Sequence, residues 1–392
     1  MSTALKPELN VCTRCVMDTS IPGITFDEKG VCNYCEIHDR LEKHFPQNEV
    51  GEKYCRDWVT RIKKDGQKNE YDCVVGVSGG TDSCYLLYLA KEWGLRPLAV
   101  NLDNGWNSQI AVSNIKKCTR ALGIDLRTYV INWEEIRDIL VSFLKASIPW
   151  ADAPTDTAIT SALYKIAAEE NIRYVLIGAD FRTEGKQPSE WTYCDGRLVK
   201  SVHKRFGKLP MKTFPNLTIM NLLYYGFIKG IKNIRPLYYL TYNKQEARKF
   251  LEDQYGWEYY GGHHYESIFT SFVLTVLLPE KFHADKRKVT YSAQIRSGFR
   301  DRQKALEDLQ KPPLSAKERE EAIKYVTKKL GLSAEEFESI YNAQPKTPFD
   351  YPSYYPLIKH FGPIVRLFLK LVFPWTPTTF HEREARSDNN NE

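Results

Sequence analysis

The sequence has no run of eighteen apolar residues, and its first ten residues, MSTALKPELN, lack the apolar core of a signal peptide. The first absence argues against a membrane-spanning helix, and the second predicts a cytoplasmic protein. The net charge is also small for 392 residues, at +6, whereas nucleic-acid-binding proteins usually concentrate basic residues on one face. Phosphorylated small molecules fit this charge as well, so no nucleic-acid partner is expected.

A lysine is missing from the glycine-rich segment CVVGVSGGTDSC at 73–84, where an apolar strand runs into a loop and then a helix. Glycines permit close backbone approach, the hydroxyls can donate to phosphate oxygens, and the helix start offers free N–H groups. The segment therefore predicts a pyrophosphate-binding loop made of Ser78, Gly79, Gly80, Thr81, Asp82 and Ser83. The loop of kinases and GTPases needs a lysine after its last glycine. Because Thr81 and Asp82 stand there instead, transfer of a γ-phosphate is not expected.

Asp82 has a role in such a loop if it binds Mg²⁺, which would neutralise pyrophosphate as it leaves ATP. The SGGxDS pattern resembles the signature of the PP-loop ATP pyrophosphatase superfamily, whose members form adenylated intermediates. NAD synthetase, GMP synthetase, asparagine synthetase and tRNA thiolases belong to it. The alternative is an ordinary glycine-rich turn. It is disfavoured because the matching residues stand directly after an apolar strand and directly before a helix, as the motif requires.

Nine cysteines in a reducing compartment are better explained as metal ligands or buried thiols than as disulfides. Cys12, Cys15, Cys32 and Cys35 form two CxxC pairs separated by sixteen residues, a spacing typical of two zinc knuckles that close a tetrahedral thiolate site. The expected metal is Zn²⁺ in a structural role, with a short hairpin between the knuckles. An iron–sulfur cluster and a redox dithiol pair remain open as alternatives.

From residue 71 the pattern alternates between strands and helices. Strands are predicted at 73–78, 97–103, 126–131 and 173–178, and helices at 81–93, 108–122, 134–147 and 156–170. This order predicts an α/β fold with a doubly wound parallel sheet, in which ligands bind at the carboxyl ends of the strands. The second strand ends at Asp103, and the fourth ends at Gly178, with Asp180 and Glu184 shortly after it. These residues are expected to face the nucleotide, with N-capping as an equal alternative for the two aspartates.

A second dense group of polar residues lies at 257–298. His263, His264 and Glu266 are suited to acid–base work. Four cations that could hold phosphates follow, namely Lys281, Lys286, Arg287 and Lys288. From composition alone, a solvated helix face with capping residues explains them better.

Together with the knuckles and SGGTDS, the segments GGHHYES, LPEKF, DKRK and RSG resemble the N-acetyl sugar amidotransferase family of bacterial surface-polysaccharide pathways. The resemblance extends from the knuckles to Gly298. It implies ATP-dependent conversion of an acetamido group on a UDP-linked sugar into an acetamidino group. It also implies ammonia from a separate glutaminase subunit and its channelling partner.

The chemistry of this conversion can be argued separately. An amide carbonyl does not expel oxide, because oxide is too basic a leaving group, whereas transfer of AMP to the oxygen gives an imidate that ammonia can attack. Asp82 and Ser83 are then expected to act in catalysis, with His264 and Glu266 handling protons or positioning the sugar. Glu184, Lys286 and Arg287 are expected to bind the substrate.

Four segments are predicted: a four-cysteine zinc-knuckle segment with linker (1–50), the PP-loop domain (51–240), a helical substrate-side domain (241–345), and an apolar and basic C-terminal segment with a tail (346–392). The stretch 354–375 is expected to pack against the chain or a partner, with an interfacial membrane helix as the alternative. The end, 382–392, is expected to be disordered.

Two other functions remain open. One is a tRNA-modifying PP-loop enzyme that performs thiolation, which would need a broad basic surface and a reactive cysteine or cluster. The other is a catalytically inactive scaffold of a glycan pathway.

Overall fold

A single parallel sheet organises the centre of the molecule. The computed structural model describes residues 9–262, 264–370 and 372–388. Within them, five strands pair in the order β3-β2-β1-β4-β5. Their bounds are β1 Cys73–Gly76, β2 Pro97–Asp103, β3 Leu126–Val130, β4 Tyr174–Leu176 and β5 Lys232–Ile234. The strand order runs outward from β1 in both directions, so it reverses between β1 and β4, where a ligand crevice is expected.

The burial of the strands explains their sequences. β1 lies in the middle of the sheet, where Val74 pairs with Leu98 on one side and Val175 on the other. It reads as a continuous apolar run because helices cover both of its faces. β3 lies at an edge, and its residues alternate between exposed and half-buried.

Helices cover both faces of the sheet. One face packs against helices before and after β1, through Ile62, Leu86 and Ile115. The opposite face packs against Leu163 and Tyr164 of the long helix before β4. The helices of this part are α1 Asn33–His44, α2 Glu49–Gly66, α3 Thr81–Glu92, α4 Gln109–Leu122, α5 Trp133–Ala146, α6 Ala153–Glu169, α7 Phe181–Glu184, α8 Ser189–Thr192, α9 Gly196–Phe206 and α10 Ile219–Leu223.

The remainder of the described chain is mostly helical. A π-helix at Tyr224–Ile228 follows α10, and a second at Val273–Lys281 follows α12. The further helices are α11 Lys244–Tyr255, α12 Ile268–Phe272, α13 Lys286–Arg296, α14 Arg302–Leu309, α15 Ala316–Leu330, α16 Ala334–Asn342, α17 Tyr355–Leu369 and α18 Thr378–Asp388, with short 3₁₀ turns at Pro236–Tyr238 and Pro348–Asp350. None of the helices in the described part is long and apolar enough to cross a membrane.

The predicted fold class is confirmed. The chain has a five-stranded parallel sheet covered by helices, a four-cysteine cluster near its start and a helical C-terminal region. The predicted strands and helices before residue 180 agree with the observed ones to within a few residues. β5 was not predicted. An isolated antiparallel bridge joins Val11 with Asp18 around the first knuckle, and a second joins Phe26 with Cys32 where the short hairpin was expected.

The expectation of disorder at 382–392 is wrong for residues 382–388. They belong to α18, which packs against α1. Glu382 is almost fully buried there, with its carboxylate 2.7 Å from both Lys186 Nζ and Arg386 Nη2. These buried ion pairs anchor the helix, and residues 389–392 lie outside the described residues.

Candidate active site

The glycine-rich loop lies at the point where the strand order reverses. Gly79 has φ of +84°, and a Cβ there would lie 2.3 Å from the carbonyl oxygen of Ala111, so only glycine fits. Trp257 Nε1 donates to the Gly79 carbonyl over 2.9 Å. The hydroxyls of Ser78 and Ser83 lie 3.3 Å apart, at the start of α3. The loop therefore presents two hydroxyls and a helix N-terminus, the groups that bind phosphate.

Asp82 is held by two residues from a distant part of the chain. Lys244, the first residue of α11, places Nζ 2.5 Å from Asp82 Oδ2, and the Tyr242 hydroxyl donates to Oδ1. Burial lowers the pKa of Lys244, but the carboxylates of Asp82 and Glu184 raise it by more. Lys244 thus supplies beside the loop the cation that the loop sequence lacks.

The residues after β4 have separate roles. Gly178 contacts the first turn of α3, since a Cβ there would lie 2.6 Å from the Asp82 carbonyl oxygen. Asp180 caps α7 by accepting from the N–H groups of Arg182 and Thr183, and burial raises its pKa to about 7. Glu184 faces the cavity described below, and burial raises its pKa also.

Asp103 is the last residue of β2, and its carboxylate accepts a hydrogen bond from the N–H of Gly105 over 2.8 Å. It does not line the cavity, whereas its neighbours Asn101 and Asn104 do. Asn107, also after β2, lines the cavity too, so the polar groups that reach it from this edge are amides.

The segment around Glu266 is joined to the loop after β2. The N–H of Ser108 donates to the Glu266 carbonyl over 2.8 Å, and that of Ile268 donates to the Trp106 carbonyl over 2.9 Å. His264 has φ of +61°, and its Nδ1 lies 3.5 Å from Glu266 Oε1. Burial raises the pKa of Glu266, but the hydrogen bond and charge of His264 lower it by more. His263 lies outside the described residues.

A second group of ionisable side chains closes the far end of the site. Asp152, which precedes α6, accepts a hydrogen bond from the Thr270 hydroxyl, and burial with the nearby Asp156 charge raises its pKa to about 7. Trp150 Nε1 donates to Asp156 over 2.7 Å. Lys286 lies over the Trp150 ring, with Nζ 4.5 Å from the ring centroid, and burial lowers its pKa.

One cavity of about 490 Å³ connects the two groups, a volume typical of small-molecule sites. It extends from Ser78 and Ser83 to Asp152 and Lys286. Four buried polar atoms of lining residues make no hydrogen bond within the described part of the chain: Asp152 Oδ1, Glu266 Oε2, Gln187 Oε1 and Arg235 Nε. Buried polar atoms normally have partners, so these point to a polar ligand.

Arg287 does not line this cavity. Its guanidinium binds Asp285, with Nη2 2.7 Å from Oδ2, and the carbonyl oxygen of Lys311. The structure therefore separates Arg287 from its neighbour Lys286, although both were expected to bind substrate.

The four cysteines of the knuckles converge. Their sulfurs all lie within 4.8 Å of one another, at 3.8 Å for Cys12 to Cys35 and 3.7 Å for Cys15 to Cys32. A single metal at about 2.3 Å from four thiolates requires sulfurs about 3.8 Å apart, so the cluster fits one tetrahedral ion. Arg296 adds a positive charge, donating to Cys15 and Cys35 over 3.3 Å each. In a cubane cluster each thiolate binds a different iron, which requires wider separation.

Sequence reasoning missed Lys244, Tyr242, Asp152, Asp156 and Arg235. The first two follow a stretch with poor periodicity and no motif. Asp152 stands in the sequence Asp-Ala-Pro, which is typical of a helix start, yet it makes no side-chain capping bond. The sequence does not indicate that this carboxylate leaves the helix end uncapped and has a buried oxygen, Oδ1, without a hydrogen-bond partner among the described residues; only the structure shows it.

A family model described as the C-terminal domain of WbpG-like LPS biosynthesis proteins matches residues 266–364. The chain resembles these proteins over this stretch. The match begins at Glu266 and covers about a quarter of the chain, including the DKRK and RSG segments. The resemblance to a surface-polysaccharide family is confirmed over this WbpG-like range.

A stretch of 117 residues is 32% identical to an uncharacterized protein of Methanocaldococcus jannaschii. It covers 29% of this chain and 40% of that protein, so the chain spans less than half of the relative's length.

Several solved structures are similar to parts of this chain. They include the U34-tRNA thiolase NcsA of Methanococcus maripaludis with its 4Fe-4S cluster (17% identity, 76% of this chain and 88% of that one, TM-score 0.32). The NMN synthetase of Francisella tularensis is 16% identical, with 78% of this chain and 95% of that one covered and a TM-score of 0.31. The NH₃-dependent NAD synthetase of Campylobacter jejuni is 18% identical, with 38% of this chain and 58% of that one covered and a TM-score of 0.25. All TM-scores lie below 0.5, so the fold assignment rests on the strand order and loop of this chain.

Proposed function

We propose that this chain is an ATP-dependent, AMP-forming amidotransferase of bacterial surface-polysaccharide biosynthesis. It adenylates the acetamido oxygen of a nucleotide-activated N-acetyl sugar and replaces that oxygen with ammonia. The observation that carries the proposal is the cavity that joins the SGGTDS loop to the buried Asp152 and Lys286. A site for adenylation needs both a pyrophosphate end and an acceptor end.

At the first end, the loop residues Ser78, Gly79, Gly80, Thr81 and Ser83 would bind the departing pyrophosphate. Lys244 now neutralises Asp82 and lies where it can turn to a phosphate oxygen when ATP enters. Asp82 is then free to hold Mg²⁺, which suits a carboxylate beside phosphates and would neutralise charge on the leaving group. Asn101 and Asn104 offer further polar groups at this edge.

At the acceptor end, the orphaned oxygens of Asp152, Glu266 and Gln187 can accept hydrogen bonds from sugar hydroxyls, an amide N–H or ammonia. Asp152 has a pKa of about 7, which suits a group that takes a proton from the nitrogen nucleophile near neutral pH. His264 and Glu266 position the acetamido group beside the loop, since a Cβ on Gly80 would lie 3.7 Å from Glu266 Oε1.

The reaction balances in two steps. The acetamido oxygen attacks the α-phosphorus, the bond to the bridging oxygen breaks, and pyrophosphate leaves. Ammonia then adds to the imidate carbon, a proton passes to Asp152, and AMP leaves with the former acetamido oxygen. Burial of the acceptor end, where Asp152 and Lys286 lie, would keep water from hydrolysing the imidate.

The four-cysteine cluster supports the proposal indirectly. We propose Zn²⁺ for it, because the sulfur separations suit one tetrahedral ion and four thiolates leave no open position. Zn²⁺ would stabilise the fold of the N-terminal segment. Ammonia would come from a separate glutaminase subunit with its channelling partner.

The proposal is tested by incubating the purified chain with ATP, Mg²⁺, ammonium and a UDP-diacetamido sugar. We expect AMP and pyrophosphate in equal amounts and a sugar product about one mass unit lighter, because NH replaces O. ADP and orthophosphate as products would contradict the proposal. No AMP with any acylamino sugar would favour the scaffold, and AMP formed only with tRNA would favour thiolation.

A further inference from the structure

Two neighbouring segments of the chain form one exposed apolar surface. The first is α10 with the π-helix that follows it, and the second is α17. Of the nineteen large apolar side chains that are exposed among the described residues, ten lie here: Ile219, Met220, Tyr224, Phe227, Ile228, Leu357, Phe361, Ile364, Leu367 and Phe368. The rings of Phe227 and Phe368 lie 6.4 Å apart, centroid to centroid, and join the two segments. We call these ten residues the apolar face.

The apolar face follows from the helical pattern of α17. Leu357, Phe361, Ile364 and Phe368 recur at spacings of four, three and four, which places them on one side of the helix. The other side contains the half-buried Val365 and Leu369. α17 therefore uses one apolar side within the molecule and leaves another uncovered, with Leu367 67% exposed and Ile228 74% exposed.

Charge on these segments has one sign. Residues 212–232, around α10 and its π-helix, contain three Lys and no Asp or Glu, and residues 351–381, around α17, contain three Lys and Arg and no Asp or Glu. Beyond these ranges, Glu384 of α18 pairs with Arg366 of α17 over 3.0 Å. The whole chain has 49 acidic residues, so their absence from both segments is a specific feature. Lys359 and Lys370 are exposed beside the apolar side of α17, and neither forms an ion pair with a described residue. An uncovered apolar surface with basic flanks is complementary to an apolar layer with anionic groups at its border.

We propose that the apolar face docks on the surface of an anionic lipid bilayer, with α17 lying in the plane of the interface. Apolar side chains between unpaired lysines are the pattern of interfacial helices. α17 also bends at Phe361, where φ is −122°, and contains Pro363, so it suits a surface better than a span.

A second copy of this chain is a poorer partner for the apolar face than a lipid bilayer. A twofold contact through the apolar face would bring Lys359 and Lys370 of both copies into one interface, where their like charges repel. RNA would match the charge but would leave Ile228, Ile364 and Leu367 without an apolar partner.

Vesicle flotation of the purified full chain tests this docking. Vesicles of phosphatidylcholine mixed with phosphatidylglycerol are compared with vesicles of phosphatidylcholine alone, at low and high salt. We expect the chain to float with the mixed vesicles and to float less at high salt, because screening weakens the lysine contacts. The double variant Ile364→Ser/Leu367→Ser should bind about a hundredfold more weakly, about tenfold for each side chain.

Two further variants sharpen the result. Lys359→Glu/Lys370→Glu should abolish the preference for the mixed vesicles. The control Val50→Ser/Val130→Ser changes exposed apolar side chains outside the apolar face, 67% and 69% exposed, and should float like the unmodified chain. Thermal melting of each variant establishes that it is folded.

Three outcomes would overturn the proposal. The first is no flotation with either kind of vesicle. The second is equal loss of flotation in the control and in Ile364→Ser/Leu367→Ser. The third is a dimer in sedimentation equilibrium that only Ile364→Ser/Leu367→Ser dissociates, without flotation of the unmodified chain.

Discussion

Replacing Lys244 by methionine should abolish most of the ATP chemistry while leaving the loop sequence intact. Lys244 Nζ lies 2.5 Å from Asp82 Oδ2 at the first turn of α3. Methionine keeps the unbranched shape of the side chain, is one atom shorter and carries no charge. If Lys244 is the cation that stabilises the departing pyrophosphate, the loss should fall on the adenylation step.

The size of the effect can be worked out from the geometry. Two unit charges about 4 Å apart interact by about 4 kcal/mol at an effective dielectric constant of about 20. Removal of one preorganised donor from a site of developing negative charge typically costs about 2.7–4 kcal/mol. We therefore expect kcat/KM for pyrophosphate release to fall by about 10²–10³-fold.

The matched control is Lys249→Met, on the same helix, where the lysine is exposed. It should retain full activity. Lys244→Met also leaves the Asp82 carboxylate without its cation, which should lower the free energy of unfolding by about 1–3 kcal/mol. Adding Asp82→Asn should restore part of that stability but not the activity. Activity of Lys244→Met within a few-fold of the control would refute this role for Lys244.

Four other changes give independent predictions. Asp152→Asn should remove the acidic limb of the pH–rate profile near pH 7. The folded chain keeps the Asp152 proton up to about pH 7, whereas the unfolded chain loses it near about pH 4. The variant should therefore be more stable than the unmodified chain at alkaline pH, by about 2–4 kcal/mol, and equally stable in acid. Gly178→Ala would place Cβ 2.6 Å from the Asp82 carbonyl oxygen and should raise the KM for ATP about tenfold, as an ATP titration would show. Metal analysis should find one Zn²⁺ per chain, and chelation or Cys15→Ser should lower the melting temperature. Arg296→Gln should weaken Zn²⁺ binding about 10–100-fold in competition with a chelator, and unchanged affinity would contradict a supporting role for its bonds to sulfur.

The parallel sheet could be predicted because its inner strands are short apolar runs between clear helices. β1 lies between two neighbours and under helices on both faces, so its buried residues are all apolar. β5 could not be predicted, because Lys-Asn-Ile is too short to show alternation and becomes a strand by pairing with β4. α18 was missed for a similar reason, since its polar sequence is anchored by the burial of Glu382.

The candidate site also has one part that could be predicted from the sequence and another that could not. SGGTDS is continuous in sequence, so its glycines and hydroxyls could be recognised together. Lys244 and Tyr242 reach Asp82 from about 160 residues away, through the packing of α11 on α3, and no local pattern indicates such a contact. Asp152 resembles a helix cap in sequence, and only the fold shows its oxygen at the cavity.

The central claim is that AMP is transferred to the acetamido oxygen of the sugar. Transfer of ¹⁸O tests it most directly, with the label placed in the carbonyl of the acetamido group and AMP analysed by mass spectrometry after turnover with ammonium. The account predicts one ¹⁸O atom in AMP for each acetamidino sugar formed, and none in pyrophosphate. Unlabelled AMP, or turnover that gives ADP, would contradict it.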